Sequence, residues 1–174
     1  MEIPAPTPIY RITHISHLAS MIELGGLHCN SFLKQTGMGY THIAHSNIQD
    51  RRAITRVPCG PRGLLHDYVP FYFAPRCPML CAIWYERVEG YTEGQRPIIH
   101  LVSSVQAVEA VGRSFVFTDG HGTMVFTDFF EDLIYLDRID WDVMHTRYWN
   151  DTLEDNDRKR RRQAEFLETI LIKY

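Results

Sequence analysis

At 174 residues, 45% hydrophobic and 22% charged, the chain has the size of one domain with its own hydrophobic core and an ordinary globular composition. Its formal net charge of −3 argues against indiscriminate adhesion to nucleic acid, which is driven by neutralised phosphates. No apolar run approaches the roughly 20 residues that span a bilayer, and Met1-Glu2-Ile3-Pro4-Ala5-Pro6 has neither a basic start nor an apolar h-region. A cytoplasmic protein without membrane association is therefore expected.

Three prolines in the first eight residues give an extended lead-in to a first strand, Ile9 to His14, rich in β-branched and aromatic residues. Ser16 is placed to cap a helix through Leu18, Met21, Ile22 and Leu24, which Gly25-Gly26 stops. From Leu27 to Arg56 the chain reads as a polar loop with a short helix near Asn47 to Ile54; a loop of that length is functional or disordered. Cys59-Gly60-Pro61-Arg62-Gly63 reads as a turn, and Tyr68 to Phe73 as a strand at a sheet edge or bulge, because Pro70 has no N–H for a ladder. Met79 to Val88 fits a helix or a strand.

Further on, Gly90 to Pro97 is a loop, Ile98 to Val102 a strand, Val105 to Val111 a short helix opened by Ser104, and Phe115 to Thr118 another strand. Asp119-Gly120-His121-Gly122 is a tight, flexible connection. Asp128 is read as opening a helical run through Leu133, Asp137-Arg138-Ile139 as a turn and strand, and Trp141 to Trp149 as a loop or short helix. A last helix starts at Asp155 or Asp157 and carries Arg158-Lys159-Arg160-Arg161-Arg162, five consecutive basic residues ahead of Glu165. Strands and helices alternate irregularly, which predicts an α+β domain over residues 1–174.

Arginines gather at Arg51, Arg52, Arg56 and Arg62 and again at Arg158 to Arg162, so a local cationic groove on a mildly acidic body is expected. No phosphate loop, dinucleotide fingerprint, HExxH or GxSxG motif occurs, which removes most support for serine or metal hydrolysis. The cysteines Cys29, Cys59, Cys77 and Cys81 form no CxxC pair and read as free thiols, and no metal is expected. Among nine histidines, His14 ends a strand, His42 and His45 lie in the polar loop, and His121 sits between glycines.

Five blocks carry a resemblance. Ile9-Tyr10-Arg11-Ile12-Thr13-His14-Ile15 with the following helix and Gly25-Gly26-Leu27, then Ile48-Gln49-Asp50-Arg51-Arg52, then Leu65 to Leu80, then Phe117-Thr118-Asp119-Gly120-His121, and finally Arg162-Gln163-Ala164-Glu165-Phe166-Leu167 resemble, in this order, the DarT family of DNA ADP-ribosyltransferase toxins. The resemblance implies an ADP-ribosyltransferase fold, with NAD as co-substrate in a cleft between two small, mainly antiparallel sheets. It further implies transfer of ADP-ribose to thymine in single-stranded DNA, and a DarG-like macrodomain antitoxin as partner; a monomer is expected.

The same resemblance assigns roles. Thr13, His14 and Ile15, with Asn30, match the NAD-contacting positions. Arg52, or Arg51 by one-residue drift, matches the essential arginine, which binds diphosphate or lines the acceptor base. Glu165 matches the catalytic glutamate, stabilising an oxocarbenium-like transition state through a ribose hydroxyl. His121, Tyr68, Tyr72 and Arg76 fall on the DNA side, where aromatic faces stack unpaired bases, and Arg158, Arg160 and Arg161 are expected to track phosphates. Only Glu168 to Tyr174 follow Glu165-Phe166-Leu167, a shorter tail than the family usually has, either a final short strand or an altered end. The alternatives are ADP-ribose transfer to protein, plain NAD hydrolysis, or a nucleic-acid binding module without catalysis.

Overall fold

The computed structural model describes residues 2–39 and 41–169. Among these, six strands form one sheet: β1 (Pro8–His14), β2 (Val69–Tyr72), β3 (Ile98–Ser104), β4 (Phe115–Thr118), β5 (Phe129–Phe130) and β6 (Glu165–Glu168). Their order is β3-β1-β2-β6-β4-β5, with every neighbouring pair antiparallel. The helices are α1 (His17–Glu23), α2 (Asn30–Gln35), α3 (Ser46–Ile54), α4 (Pro78–Trp84), α5 (Val105–Ala110), α6 (Trp141–His145) and α7 (Arg158–Arg161). The α+β reading holds; the division into two sheets does not.

The seam between β1 and β2 explains the difference. β1 pairs with β3 over seven residues, from Pro8–Ser104 to His14–Ile98, but meets β2 only at Tyr10–Tyr72. Pro70 removes a ladder donor there, and the Arg11 guanidinium donates to the Pro70 carbonyl at 3.0 Å, a side chain standing in for a missing backbone bond. Two small ladders are thus joined edge to edge at one residue pair.

β6 is buried along its whole length, so its alternating side chains enter two different cores. Phe166 packs on one face among Phe73, Phe117 and Trp141, with Phe73 edge-on to all three rings. Leu167 packs with Val57, Leu65, Tyr68 and Val116. Glu165, two residues before Leu167, shares that second face. A third cluster, Ile12, Ile43, Cys77, Ile83, Val88 and Tyr91, closes the β1 end.

Four local expectations are corrected. The polar stretch from Leu27 to Arg56 contains α2 as well as α3. The helical run expected from Asp128 through Leu133 does not form over residues 128–132: Phe129-Phe130 form β5, registered on Phe117 and Thr118, with the Phe117 and Phe130 rings stacked 5.3 Å apart. Cross-strand aromatic pairing outweighs the capping signal of Asp128, and the cap is Asp132, whose side chain accepts from Ile134 N at 3.0 Å to open a 3₁₀ turn over Leu133–Arg138. That turn contains Asp137 and Arg138, so no strand forms there. Ser16 precedes α1 without capping it, because its hydroxyl bonds His14 Nδ1 at 2.6 Å. Of the tail Glu168 to Tyr174, Glu168 closes β6 and residues 170–174 lie outside the described residues.

Candidate active site

A cavity of about 610 Å³ opens on the Glu165 side of the sheet, within the roughly 300–1,000 Å³ typical of small-ligand clefts. Its walls are β1 at Thr13, α1 at His17, α3 at Gln49 and Arg52, β2 at Tyr72, and the β4–β5 connection at His121. Gln49 and Arg52 are three residues apart on α3 and so share a helix face.

Glu165 stands one layer behind this wall, 1% exposed and absent from the lining itself. Arg52 Nη1 donates to its Oε2 at 2.6 Å, and the Gly122 N–H donates to Oε1 at 3.2 Å. Burial alone pushes the carboxyl pKa up, but the charge of Arg52, that of His121 once it is protonated in acid, and the hydrogen bonds from Arg52 and Gly122 outweigh it, holding Glu165 below its usual range and ionised. The strand is locked as well: Glu165 N donates to Thr118 Oγ1 at 3.0 Å, and that hydroxyl donates to the Gly120 carbonyl at 2.7 Å. Gly122 has no room to spare, since a β-carbon there would lie 3.3 Å from Leu65 Cδ1 and 3.6 Å from Glu165 Oε1.

Arg52 lines the cavity and is 7% exposed, yet its Nη2 has no hydrogen-bond partner. A buried, unused guanidinium donor beside an open cleft suits an anionic or carbonyl oxygen of a ligand. Arg51, by contrast, is exposed and reaches across the mouth to the Thr123 carbonyl at 2.6 Å and Met124 Sδ at 3.7 Å. The buried contact to Glu165 thus belongs to Arg52.

His121 is 9% exposed and lines the cavity. Its Nδ1 accepts from Thr123 N at 3.2 Å, which leaves the ring proton on Nε2, and burial lowers its pKa, keeping the ring neutral near pH 7. Tyr72 is the cross-strand partner of Glu165 and lines the cavity; burial raises its pKa well above the usual value, so its hydroxyl stays protonated.

The first-strand candidates divide. Thr13 lines the cavity, and its hydroxyl bonds His17 Nδ1 at 2.8 Å. Thr41 N donates to His17 Nε2 at 2.9 Å, so the neutral ring donates through Nδ1 to Thr13. His14 is buried but not a lining residue; its Nδ1 accepts from Ser16 N at 3.2 Å, and its Nε2 is unpartnered by hydrogen-bond geometry, 3.5 Å from Glu93 Oε2. Ile15 is half exposed, outside the lining, and its N–H is taken by the Pro97 carbonyl at 2.8 Å. Asn30 lines the cavity, its Nδ2 3.1 Å from Gln49 Oε1.

On the proposed nucleic-acid side the basic run differs most from expectation. Arg158 pairs with Asp155 and donates to the Tyr148 carbonyl; Arg160 pairs with Asp119 and Asp157; Arg161 pairs with Asp140 and Asp155. Arg162 is 1% exposed, donates to the carbonyls of Arg76, Val143 and Met144, and stacks its guanidinium 4.5 Å from the Trp149 ring centre. The run is largely internal scaffolding, because the acidic residues before it in sequence fold back onto it. Of the three arginines assigned to phosphates, only Arg160 lines the cavity. Arg76 lies on a separate hollow with Arg162, whereas Tyr68 lines the cavity from the core, its hydroxyl donating to the Arg62 carbonyl at 2.6 Å.

A family model described as ssDNA thymidine ADP-ribosyltransferase, DarT, matches residues 10–169. The chain belongs to the DarT family. A DNA ADP-ribosyl transferase of Thermus sp. (strain 2.9) is 49% identical over 94% of this chain and 75% of its own length. Two solved structures of the Thermus sp. 2.9 DarT are similar: one in complex with ADP-ribosylated ssDNA (TM-score 0.89, 45% identity, covering 97% of this chain and 78% of that one), the other with NAD+ (TM-score 0.84, 43% identity, 97% and 77%).

Within this DarT-family site, sequence reasoning missed His66 and Gln49. His66 is buried on the cavity wall, its Nε2 3.2 Å from both Gln49 Oε1 and Asn30 Nδ2, and burial, with Lys34 and Arg52 nearby, lowers its pKa to about 4. Gln49 was legible, standing one helical turn before Arg52. His66 was not, because only the tertiary fold brings Leu65–Asp67 under α3.

Proposed function

We propose that this chain transfers ADP-ribose from NAD to a thymine base in single-stranded DNA, and that Arg52, Glu165 and His121 make up its reacting centre. The observation carrying the assignment of residues is the buried Arg52–Glu165 contact of 2.6 Å, made by an arginine that lines the cleft and keeps one buried donor, Nη2, unpartnered.

NAD supplies a glycosidic bond whose cleavage leaves positive charge on the ribose. Glu165 is ionised and held by Arg52 and Gly122, its backbone N–H by the Thr118 hydroxyl. Because it lies one layer behind the cavity wall, a ligand must displace that wall before the carboxylate stabilises the charge through a ribose hydroxyl. A ligand reaches the carboxylate alongside Arg52 and Tyr72, and the free Nη2 of Arg52 serves a diphosphate or base oxygen. The bonding pair leaves with nicotinamide, the ribose carbon bonds to a nucleophilic atom of the base, and the base gives up a proton. An unpaired base needs no extrusion from a duplex, which favours a single-stranded acceptor.

Residues 1–174 act as a single ADP-ribosyltransferase domain, cytoplasmic like its substrate and monomeric. Membership of the DarT family supports a toxin role with a DarG-like macrodomain antitoxin as partner. No helix among the described residues is long and apolar enough to cross a membrane, and no group of three metal-ligating side chains occurs among them.

The test is incubation with NAD and thymine-containing oligonucleotides. Wild type adds one ADP-ribose per modified strand, and Glu165→Gln does not. Nicotinamide release indifferent to DNA would replace this reading by NAD hydrolysis, and transfer to added protein but not DNA by a protein-directed enzyme.

A further inference from the structure

The β4–β5 connection, residues 119–128, carries His121 and the Gly122 N–H that holds Glu165 Oε1 at 3.2 Å. Its neck is closed by Asp128 N donating to Asp119 Oδ1 at 3.0 Å and by Thr127 Oγ1 donating to the His121 carbonyl at 2.9 Å. The Thr118 hydroxyl ties the Gly120 carbonyl to the sheet at 2.7 Å, and because the exposed tip at Val125 and Phe126 adds no packing, the Gly120–Gly122 turn relies on a second brace from outside the strand.

Arg160 supplies that brace. Its Nε lies 2.8 Å from Asp157 Oδ1, its Nη2 2.8 Å from Asp157 Oδ2 and 3.4 Å from Asp119 Oδ2, and its Nη1 3.1 Å from Asp119 Oδ1 and 3.4 Å from Thr127 Oγ1. All three guanidinium nitrogens are engaged by two carboxylates and one hydroxyl, leaving the fork no direction for a phosphate. Two carboxylates against one guanidinium also leave the spot anionic, the wrong sign for a DNA backbone. The packing is equally close: a β-carbon at Gly120 would collide with Arg160 Nη1 and lie 3.0 Å from Cγ and Cζ. The side chain is pinned between Asp157 at the start of α7 and Asp119 at the end of β4, so it cannot swing away.

We propose that Arg160 is a positioning residue: with Asp119 and Asp157 it clamps Gly120 so that the Gly122 N–H and His121 meet Glu165, and it does not contact DNA phosphate. The proposal rests on the transferase reading above for its kinetic arm, and a second arm reads the geometry directly.

Arg160→Lys keeps the charge but not the fork. Its kcat for oligonucleotide modification is expected to fall about 10- to 100-fold, as for a displaced catalytic group, with oligonucleotide KM changed by less than about twofold. Asp119→Asn keeps the acceptor for Asp128 N, weakens the clamp, and should reproduce the loss. In ¹H–¹⁵N spectra the Gly122 amide should move in both variants. The result that overturns the proposal is Arg160→Lys retaining wild-type kcat and an unmoved Gly122 resonance, while Arg160→Ala raises oligonucleotide KM and lessens its salt slope by about 0.7, the signature of one lost phosphate contact on single strands. If Arg160→Ala does not fold, unchanged kcat and an unmoved Gly122 amide in the Lys and Asn variants overturn it equally. Wild type inactive on every oligonucleotide would sink the transferase reading instead, and the Gly122 amide would still decide the clamp.

Discussion

Arg52 and Glu165 are 8% and 2% exposed at their side chains, so removing one partner strands the other as a buried charge. Arg52→Ala should therefore cost about 3–5 kcal/mol in urea unfolding, and adding Glu165→Gln should restore much of that loss; strictly additive costs would mean the two side chains are independent. The pH dependence follows from the direction of each shift. Glu165, held below its usual range, contributes stability that is complete above that range and lost as pH falls through its depressed value. His66 has its folded pKa lowered from 6.5 to about 4, so between those values the unfolded chain binds the extra proton and stability declines as pH drops. His66→Gln should flatten unfolding free energy against pH across that window and leave it unchanged above about 6.5.

At the scale of elements, α7 spans only four residues, Arg158–Arg161, too short to be stable through its own hydrogen bonds. What holds it is the set of carboxylates from Asp119, Asp140, Asp155 and Asp157, together with Arg162 immediately after it. The Arg162 guanidinium feeds four carbonyls, those of Arg76, Val143, Met144 and Thr146, and covers Trp149. Arg162→Met removes every donor while keeping much of the apolar stem, and should destabilise by about 1–3 kcal/mol for the carbonyls left unmet, seen as a lower urea midpoint. A midpoint equal to wild type would show that water replaces the guanidinium at no cost. The α5 start behaves more simply: Ser104 Oγ accepts from Ala107 N at 3.2 Å, so Ser104→Ala should cost about 1 kcal/mol.

For the molecule as a whole, compensation of the basic run sets how the surface meets DNA. Five phosphate contacts by residues 158–162 would give log affinity for a single strand a slope of about −3.5 against log salt. With those cations facing carboxylates and carbonyls, the slope measured by fluorescence anisotropy should be shallower than about −2. A slope near −3.5 would mean that the ion pairs open to admit the strand. The same distinction separates what was legible in the sequence from what was not. The family blocks, the positions of β1 to β4, the α+β class, and Glu165 and Arg52 as candidates through the family resemblance could be read from residue order, because they depend on local patterning and on motifs contiguous in the chain. The single sheet joined at Tyr10–Tyr72, the aspartates that neutralise Arg158, Arg160 and Arg161, the burial of Arg162 and Tyr68, and His66 against Gln49 were decided by tertiary structure. Each depends on groups brought together across tens of residues, where a charge is defined by the partner it meets, and no one-dimensional pattern records that meeting.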